Sequence, residues 1–464
     1  MSRSTTPRQR RHASAAVAAI LLIPVALVGC GRSSSGGGSA APSSGTASAS
    51  APSAAPSTAA AGDFGTLKAI CGPGTPGSTT ARGLTATQIR IGVTADPGAA
   101  VAPGLEQEFF DTAEGFAKWC NTAGGINGRQ IVIDKWDAKL FNVGQVMTTA
   151  CLKDFMLVGN GNALDATGVK VRLGCKLGQI PAYVVSPEAS TAGLQAQPSP
   201  NPSNQINNGA LRLLVNKYPD VKAAGVCVLG SNLASLKPVG LRTQEYLQKL
   251  GIKVANYQEP PAQVDNFRPY MEQCKASGAK ALYLETAQDP SPVIQAMKNT
   301  GWSPDFVVYS VQFYGPQGVQ AAAAAKTFQP SYIQFPALPF ELKGQYPVLQ
   351  QTEDIVKGAV PNAKLTEFTL SAMSAWTLWA QSAKDCGANL TQDCILQKAA
   401  GHTDWDAGGL YAPHSTKADA DAGACITIVQ MTPKGFVYAK DVTQPNQGSF
   451  NCEANNVLPV KTYL

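Results

Sequence analysis

Histidine is nearly absent from this chain: there are three in 464 residues, His12, His402 and His414. Chemistry that leans on imidazole, as a general base or as a metal ligand, has almost nothing to draw on. His12 falls in a leader-like segment, and the other two lie in a polar C-terminal region. Beyond the N-terminal region there is no Gly-x-Ser-x-Gly nucleophile elbow and no phosphate loop ending in Gly-Lys-Ser or Gly-Lys-Thr. No two cysteines stand in a Cys-x-x-Cys unit, which argues against a zinc site. Charged residues make up only 15% of the chain. The acidic pairs Glu106 with Glu108 and Asp404 with Asp406 read as solvated surface. These absences point away from an enzyme and from any cofactor or metal.

Long apolar runs are missing too, except at the start. A basic stretch with Arg3, Arg8, Arg10 and Arg11 precedes an apolar run from Ala15 to Val28 and the ending Leu27, Val28, Gly29, Cys30. The run falls short of the roughly 20 apolar residues of a comfortable membrane span and reads as a signal peptide over residues 1–29. Its ending resembles the bacterial lipobox, which implies cleavage before Cys30 and a lipid on that cysteine, holding the protein at the outer face of the cytoplasmic membrane. Residues 30–62 are almost wholly Ser, Ala, Gly, Pro and Thr. Such a stretch reads as a flexible tether with a mean reach of about 30 Å.

Without Cys30, ten of the eleven cysteines remain, an even number that favours disulfides in an exported chain. Cys386 with Cys394, Cys425 with Cys452 and Cys227 with Cys274 are plausible pairs, although spacing alone does not decide connectivity. The formal charge of +6 drops to +2 once the leader arginines are removed. That small excess gives no electrostatic case for a nucleic-acid partner.

After an N-terminal extension over 63–86, short β-rich runs alternate with amphipathic helical stretches from Thr87 to Asp305. The alternation predicts an α/β fold with parallel sheets flanked by helices. Strands are expected at Gln88–Thr94, Gln130–Asp134, Phe155–Val158 and Ile180–Val185. A passage rich in Pro and Asn, Pro198 to Asn208, marks a boundary, and a second βα series starts at Ala223. Two series in succession predict two lobes, with ligand loops at the strand carboxyl ends facing a shared cleft.

Asn121, Gly124, Gly125, Ile126, Asn127, Gly128 and Arg129 lie between a helix and an aliphatic strand. This segment resembles one found in leucine/isoleucine/valine-binding-protein-like solute receptors, the type I periplasmic binding fold. The stretches Val185 to Ser190 and Gln312 to Gly318 resemble two ligand loops of the same family. The resemblance implies a two-lobe fold with three hinge crossings, lobe 1 over 87–206 and 335–412 and lobe 2 over 207–334 and 413–464. The helix holding Trp376 and Trp379 would return to the first lobe. It further implies a non-catalytic monomer that closes on a small polar solute, amino-acid-like, an amide or a small carboxylate, and presents it to an ABC permease and its ATPase. Carried over residue by residue, the ligand positions are Asn160, Asn162, Ala163, Glu188, Ser190, Tyr314 and Gln317. Gln317 stands where relatives place the acid that receives an ammonium group, and Tyr314 suits either ligand stacking or hinge packing. Asp404 to Gly409 is expected near the cleft mouth. The competing readings are a sensing subunit that signals through a partner and, from another class, a secreted enzyme.

Overall fold

The computed structural model describes residues 61–285, 291–325 and 329–463. The leader, Cys30 and the tether as far as residue 60 lie outside the described residues. Two sheets organise the rest. The first is parallel, in the order β2-β1-β3-β4, from β1 (Gln88–Ala95), β2 (Gln130–Asp137), β3 (Met156–Val158) and β4 (Gln179–Ile180). Ile89, Ile91 and Val93 alternate along β1 and are fully buried, as a strand with helices covering its sheet requires. The helix Gln107–Thr122 lays Phe109, Ala113, Phe116 and Cys120 on the sheet at helical spacing.

After the short strand β5 (Gln205–Asn207), the second sheet is built from β6 (Val226–Leu229), β7 (Val254–Gln258), β8 (Ala281–Leu284), β9 (Phe306–Tyr309) and β10 (Ser331–Phe335), all parallel. β11 (Thr427–Thr432) and β12 (Gly435–Tyr438) extend it antiparallel, giving the order β12-β11-β10-β9-β8-β6-β7. β13 (Val457–Pro459) pairs antiparallel with β5.

The chain passes between the sheets three times: after β4, after β10, and before β11. Between the last two passages lie the helices Pro347–Ala359, Glu367–Asp385 and Gln392–Ala400, which pack on the first sheet and its helices. Trp376 and Trp379 are fully buried on the middle one, and the Trp376 ring stacks on Phe116 at 5.2 Å. Thr366 caps this helix by accepting the Phe368 amide at 3.2 Å, while the Thr369 hydroxyl accepts the Thr366 amide at 3.1 Å.

The glycine-rich segment earns its composition. Gly124, Gly125 and Gly128 take φ of +115°, +80° and +84°, and a Cβ on Gly125 would stand 2.1 Å from the Arg129 carbonyl. Its polar residues are structural. Buried Arg129 donates to the carbonyls of Thr85, Gly77 and Ala388, and Asn121 exchanges two hydrogen bonds with the backbone of Ile131.

All ten cysteines among the described residues pair: Cys71–Cys120, Cys151–Cys175, Cys227–Cys274, Cys386–Cys394 and Cys425–Cys452. Three are the pairs that spacing suggested, and the other two bring together residues 49 and 24 positions apart. The first ties the extension to the helix Gln107–Thr122, where Phe64 is buried beside Trp119.

Two sequence expectations change. Gly62, assigned to the tether, is buried and its carbonyl accepts the Cys71 amide, so the fold begins earlier. The strand expected at Ile180–Val185 stops at Ile180. Pro181 follows, and the Asp165 carboxylate takes the amides of Val185 and Ser186 at 2.7 and 3.1 Å, replacing ladder bonds with a loop.

Candidate functional site

A cavity of about 380 Å³ lies between the two sheets. On the first-sheet side, loops wall it with Leu105, Glu106, Ala163 and Ala182–Val185, and the helix Glu367–Asp385 adds Glu367 and Phe368 at its start. From the second-sheet side come Arg242, Tyr283, Glu285 and Val308–Gln312, and the three crossings contribute Ser199–Asn201, Gln334–Pro336 and Tyr411–His414. Most of the wall is apolar or aromatic, with a few polar groups, the usual make-up of a small-molecule site.

On the first-sheet side the wall is pinned by Asp96, whose carboxylate accepts the amides of Leu140 and Ala163 at 2.7 and 3.0 Å. Glu106 follows at the start of the helix Gln107–Thr122 with φ +62°, a left-handed conformation that costs a non-glycine residue about 1–2 kcal/mol. It is 1% exposed; the Tyr183 hydroxyl donates to Oε1, while Oε2 accepts no hydrogen bond. Burial, and then the charge of Asp96, push this carboxyl well above the ordinary range. Tyr183 packs in turn against Phe368 and Phe109, with ring centroids 5.6 and 5.5 Å away. Next to Phe368, Glu367 accepts no hydrogen bond among the described residues, and burial pushes its carboxyl up to about 7. The hydroxyl of buried Tyr411 also lacks a partner.

The second-sheet side carries the opposite charge as well. Arg242, on the helix Lys237–Lys249, donates Nη1 to the carbonyls of Pro202 and Gln205 at 3.1 and 3.2 Å, fastening the first crossing. Burial lowers its pKa, and Tyr283 and Glu285 oppose that shift. Glu285, at the carboxyl end of β8, accepts the Tyr283 hydroxyl at 3.1 Å; burial pushes it up to about 7 despite Tyr283 and Arg242.

Of the seven ligand positions carried over from the resemblance, only Ala163 lines this cavity. Asn160 and Asn162 face a separate, water-sized space of about 20 Å³ behind the wall. There the Asn162 Oδ1 accepts the Thr94 hydroxyl at 2.7 Å and the Asn160 amide approaches Gln179 at 3.4 Å. Ser190 is buried and donates to the Asn201 carbonyl at 2.7 Å, bracing the loop, while the Glu188 side chain is exposed. Tyr314 packs between Phe335 and Phe436 and donates to Glu341 at 2.8 Å, the hinge-packing alternative. Gln317 is exposed on the helix Pro316–Ala324, outside the cavity wall.

Glu106 and Glu108 are a correction: both are buried, because the chain before the helix Gln107–Thr122 turns inward at Glu106. Asp404 is exposed as expected, but it is Tyr411–His414, not 404–409, that reaches the cavity. Sequence reasoning also passed over Tyr183, Arg242, Glu285 and Glu367. The one available signal was an acid directly after the apolar run of β8, at the strand end where such sheets bind ligands.

Among the described residues no His, Cys, Asp and Glu side chains form a group of three or more placed to hold a metal ion, and no helix is long and apolar enough to cross a membrane. No curated protein sequence matches the chain. Several solved structures share its fold. A fatty acid ABC transporter substrate-binding protein from Thermomonospora curvata is 14% identical, with a TM-score of 0.65 over 82% of this chain and 96% of that one. A substrate-binding periplasmic protein from Ralstonia solanacearum, also 14% identical, has a TM-score of 0.61 over 76% and 100%. The branched-chain amino acid transporter substrate-binding protein of Streptococcus pneumoniae, solved with isoleucine, is 16% identical with a TM-score of 0.59 over 76% and 100%. The family model described as "Periplasmic binding protein" matches residues 88–436. With three quarters of its length under that model and both sheets walling one cavity, the chain belongs to the periplasmic binding protein family, a class of solute-binding proteins.

Proposed function

We propose that this protein is the extracytoplasmic receptor of an ABC importer, tethered to the membrane by a lipid on Cys30, and that it works without catalysis. In this reading a solute enters between the lobes, 87–206 with 335–412 and 207–334 with 413–464, which close about the three crossings. The closed monomer then docks on its permease and ATPase. The observation that carries the reading is the cavity of about 380 Å³ walled by both sheets and all three crossings, the place where hinge closure changes ligand contacts most. The disulfides support an exported setting, since such bonds persist in oxidising compartments. The apolar wall favours a solute with an apolar body and a polar end over the wholly polar solute suggested by the sequence.

A thermal-unfolding screen of amines, amino acids, amides, alcohols and carboxylates tests the reading. A ligand at a hundred times its Kd stabilises the folded state by about 2.7 kcal/mol. Small-angle scattering should show a smaller radius of gyration with the hit bound. Turnover of a solute to product would replace this reading with an enzyme.

A further inference from the structure

The polar groups of the cavity are unevenly matched. On the second-sheet side the Arg242 guanidinium and the Glu285 carboxyl influence each other, so an acid there faces a cation. On the first-sheet side Glu106 and Glu367 line the same cavity, and no cation lowers the pKa of either. Glu106 Oε2 is buried with no N–H or hydroxyl donor on it, its polar neighbour being the Asp96 carboxyl within hydrogen-bond reach, and the Glu367 carboxyl on the cavity wall accepts no hydrogen bond among the described residues. Asp96 adds a third carboxyl behind Glu106. Burying carboxyls without donors is unfavourable, and each sits at the first turn of a long helix, whose positive end favours the ionised form. An arriving positive charge would satisfy both. Around them stand the rings of Tyr183, Phe368 and Tyr411, whose π faces attract cations.

Given that the cavity is the solute site, we propose that its ligand is an organic amine: a protonated amino group set against Glu106 and Glu367, on an apolar body held by Tyr183, Phe368 and Tyr411. A ligand carboxylate meets repulsion on this wall. Across the cavity, Arg242 has Nη1 committed to Pro202 and Gln205, and Glu285 stands opposite its charge.

Isothermal titration of the purified protein separates the ligand classes with two matched sets: 2-phenylethylamine, 2-phenylethanol, phenylacetate and phenylalanine, and octylamine, octanol and octanoate. In at least one set the amine should bind ten times more tightly than its alcohol or anion. Charge-assisted hydrogen bonds of this kind are lost in Glu106→Gln and Glu367→Gln, so each variant should weaken the amine by about ten- to a hundredfold while leaving the alcohol within about threefold. Circular dichroism checks that both variants fold. An alcohol, carboxylate or phenylalanine that binds as tightly as the amine overturns the proposal and leaves the receptor reading standing. If neither amine binds, the proposal is likewise overturned, and the receptor reading then rests on the broader thermal screen.

Discussion

Replacing Glu367 by Gln in the ligand-free protein should stabilise the fold at alkaline pH and leave it almost unchanged in acid. The wild-type carboxyl is 8% exposed, and burial alone pushes it from 4.5 up to about 7. Between those values the folded chain keeps a proton that the unfolded chain has released, so stability falls as pH rises through this window. By pH 8 the carboxyl is charged in both states, and the gap between 4.5 and about 7 amounts to about 3 kcal/mol of lost stability. Glutamine keeps the shape and carries no charge. It also gives up the favourable placement of an anion at the start of the helix Glu367–Asp385, about 0.3–1 kcal/mol. The variant should therefore gain about 2 kcal/mol at pH 8 and gain nothing, or lose slightly, at pH 5. Glu106, Glu108, Glu285, Arg242 and Tyr411 titrate or carry charge around the cavity in both proteins, and their contributions largely cancel in the difference. Urea unfolding of the two proteins at pH 5, 6, 7 and 8 measures it. A difference that stays constant from pH 5 to 8 would refute the reasoning, because it would mean that the carboxyl titrates as an exposed one does.

The same titration links to ligand: amine binding requires an ionised Glu367, so affinity should fall as pH drops below about 7, and calorimetry in buffers of different ionisation enthalpy should detect proton release at pH 6. Cys30→Ser should release the protein from membranes, as fractionation will show, with ligand affinity unchanged. Removing Cys71–Cys120 by a double Ser substitution opens a loop spanning 49 positions, a loss of about 4 kcal/mol by chain entropy, seen as a lower urea midpoint and faster proteolysis in 63–86. Gly125→Ala forces a Cβ to 2.1 Å from the Arg129 carbonyl at φ +80° and should destabilise by more than about 1 kcal/mol, with the thermal midpoint as the measure.

Glu106 shows how a cavity-lining acid strains the fold that holds it. Its backbone is left-handed, its carboxyl is buried, and a second acid lies behind it. Local preferences resist all three, so the surrounding packing, Phe109 and Tyr183 above all, must hold the residue in place. This local resistance is also why Glu106 looked like surface: nothing in Leu105, Glu106, Gln107 announces burial.

What the sequence determined alone was the fold and its construction. The alternation of apolar runs with helical spacing, the boundary rich in Pro and Asn, and the segment from Asn121 to Arg129 depend on backbone geometry and local periodicity, which residues express within a few positions of themselves. Three of the five disulfides were among the pairs the sequence offered, but spacing did not decide them: Cys151–Cys175, 24 positions apart and not anticipated, is closer in the chain than Cys227–Cys274 at 47. The site was not legible in the sequence. Glu106, Tyr183, Arg242, Glu285, Glu367 and Tyr411 are scattered over some 300 positions, and only the two sheets facing each other across three crossings bring them to one cavity. Residues matched to the family by their place in a motif, Asn160, Asn162 and Gln317 among them, kept that place in the chain. Tertiary packing turned the first two toward a water-sized space and left the third exposed, because the direction of a side chain depends on its neighbours in space.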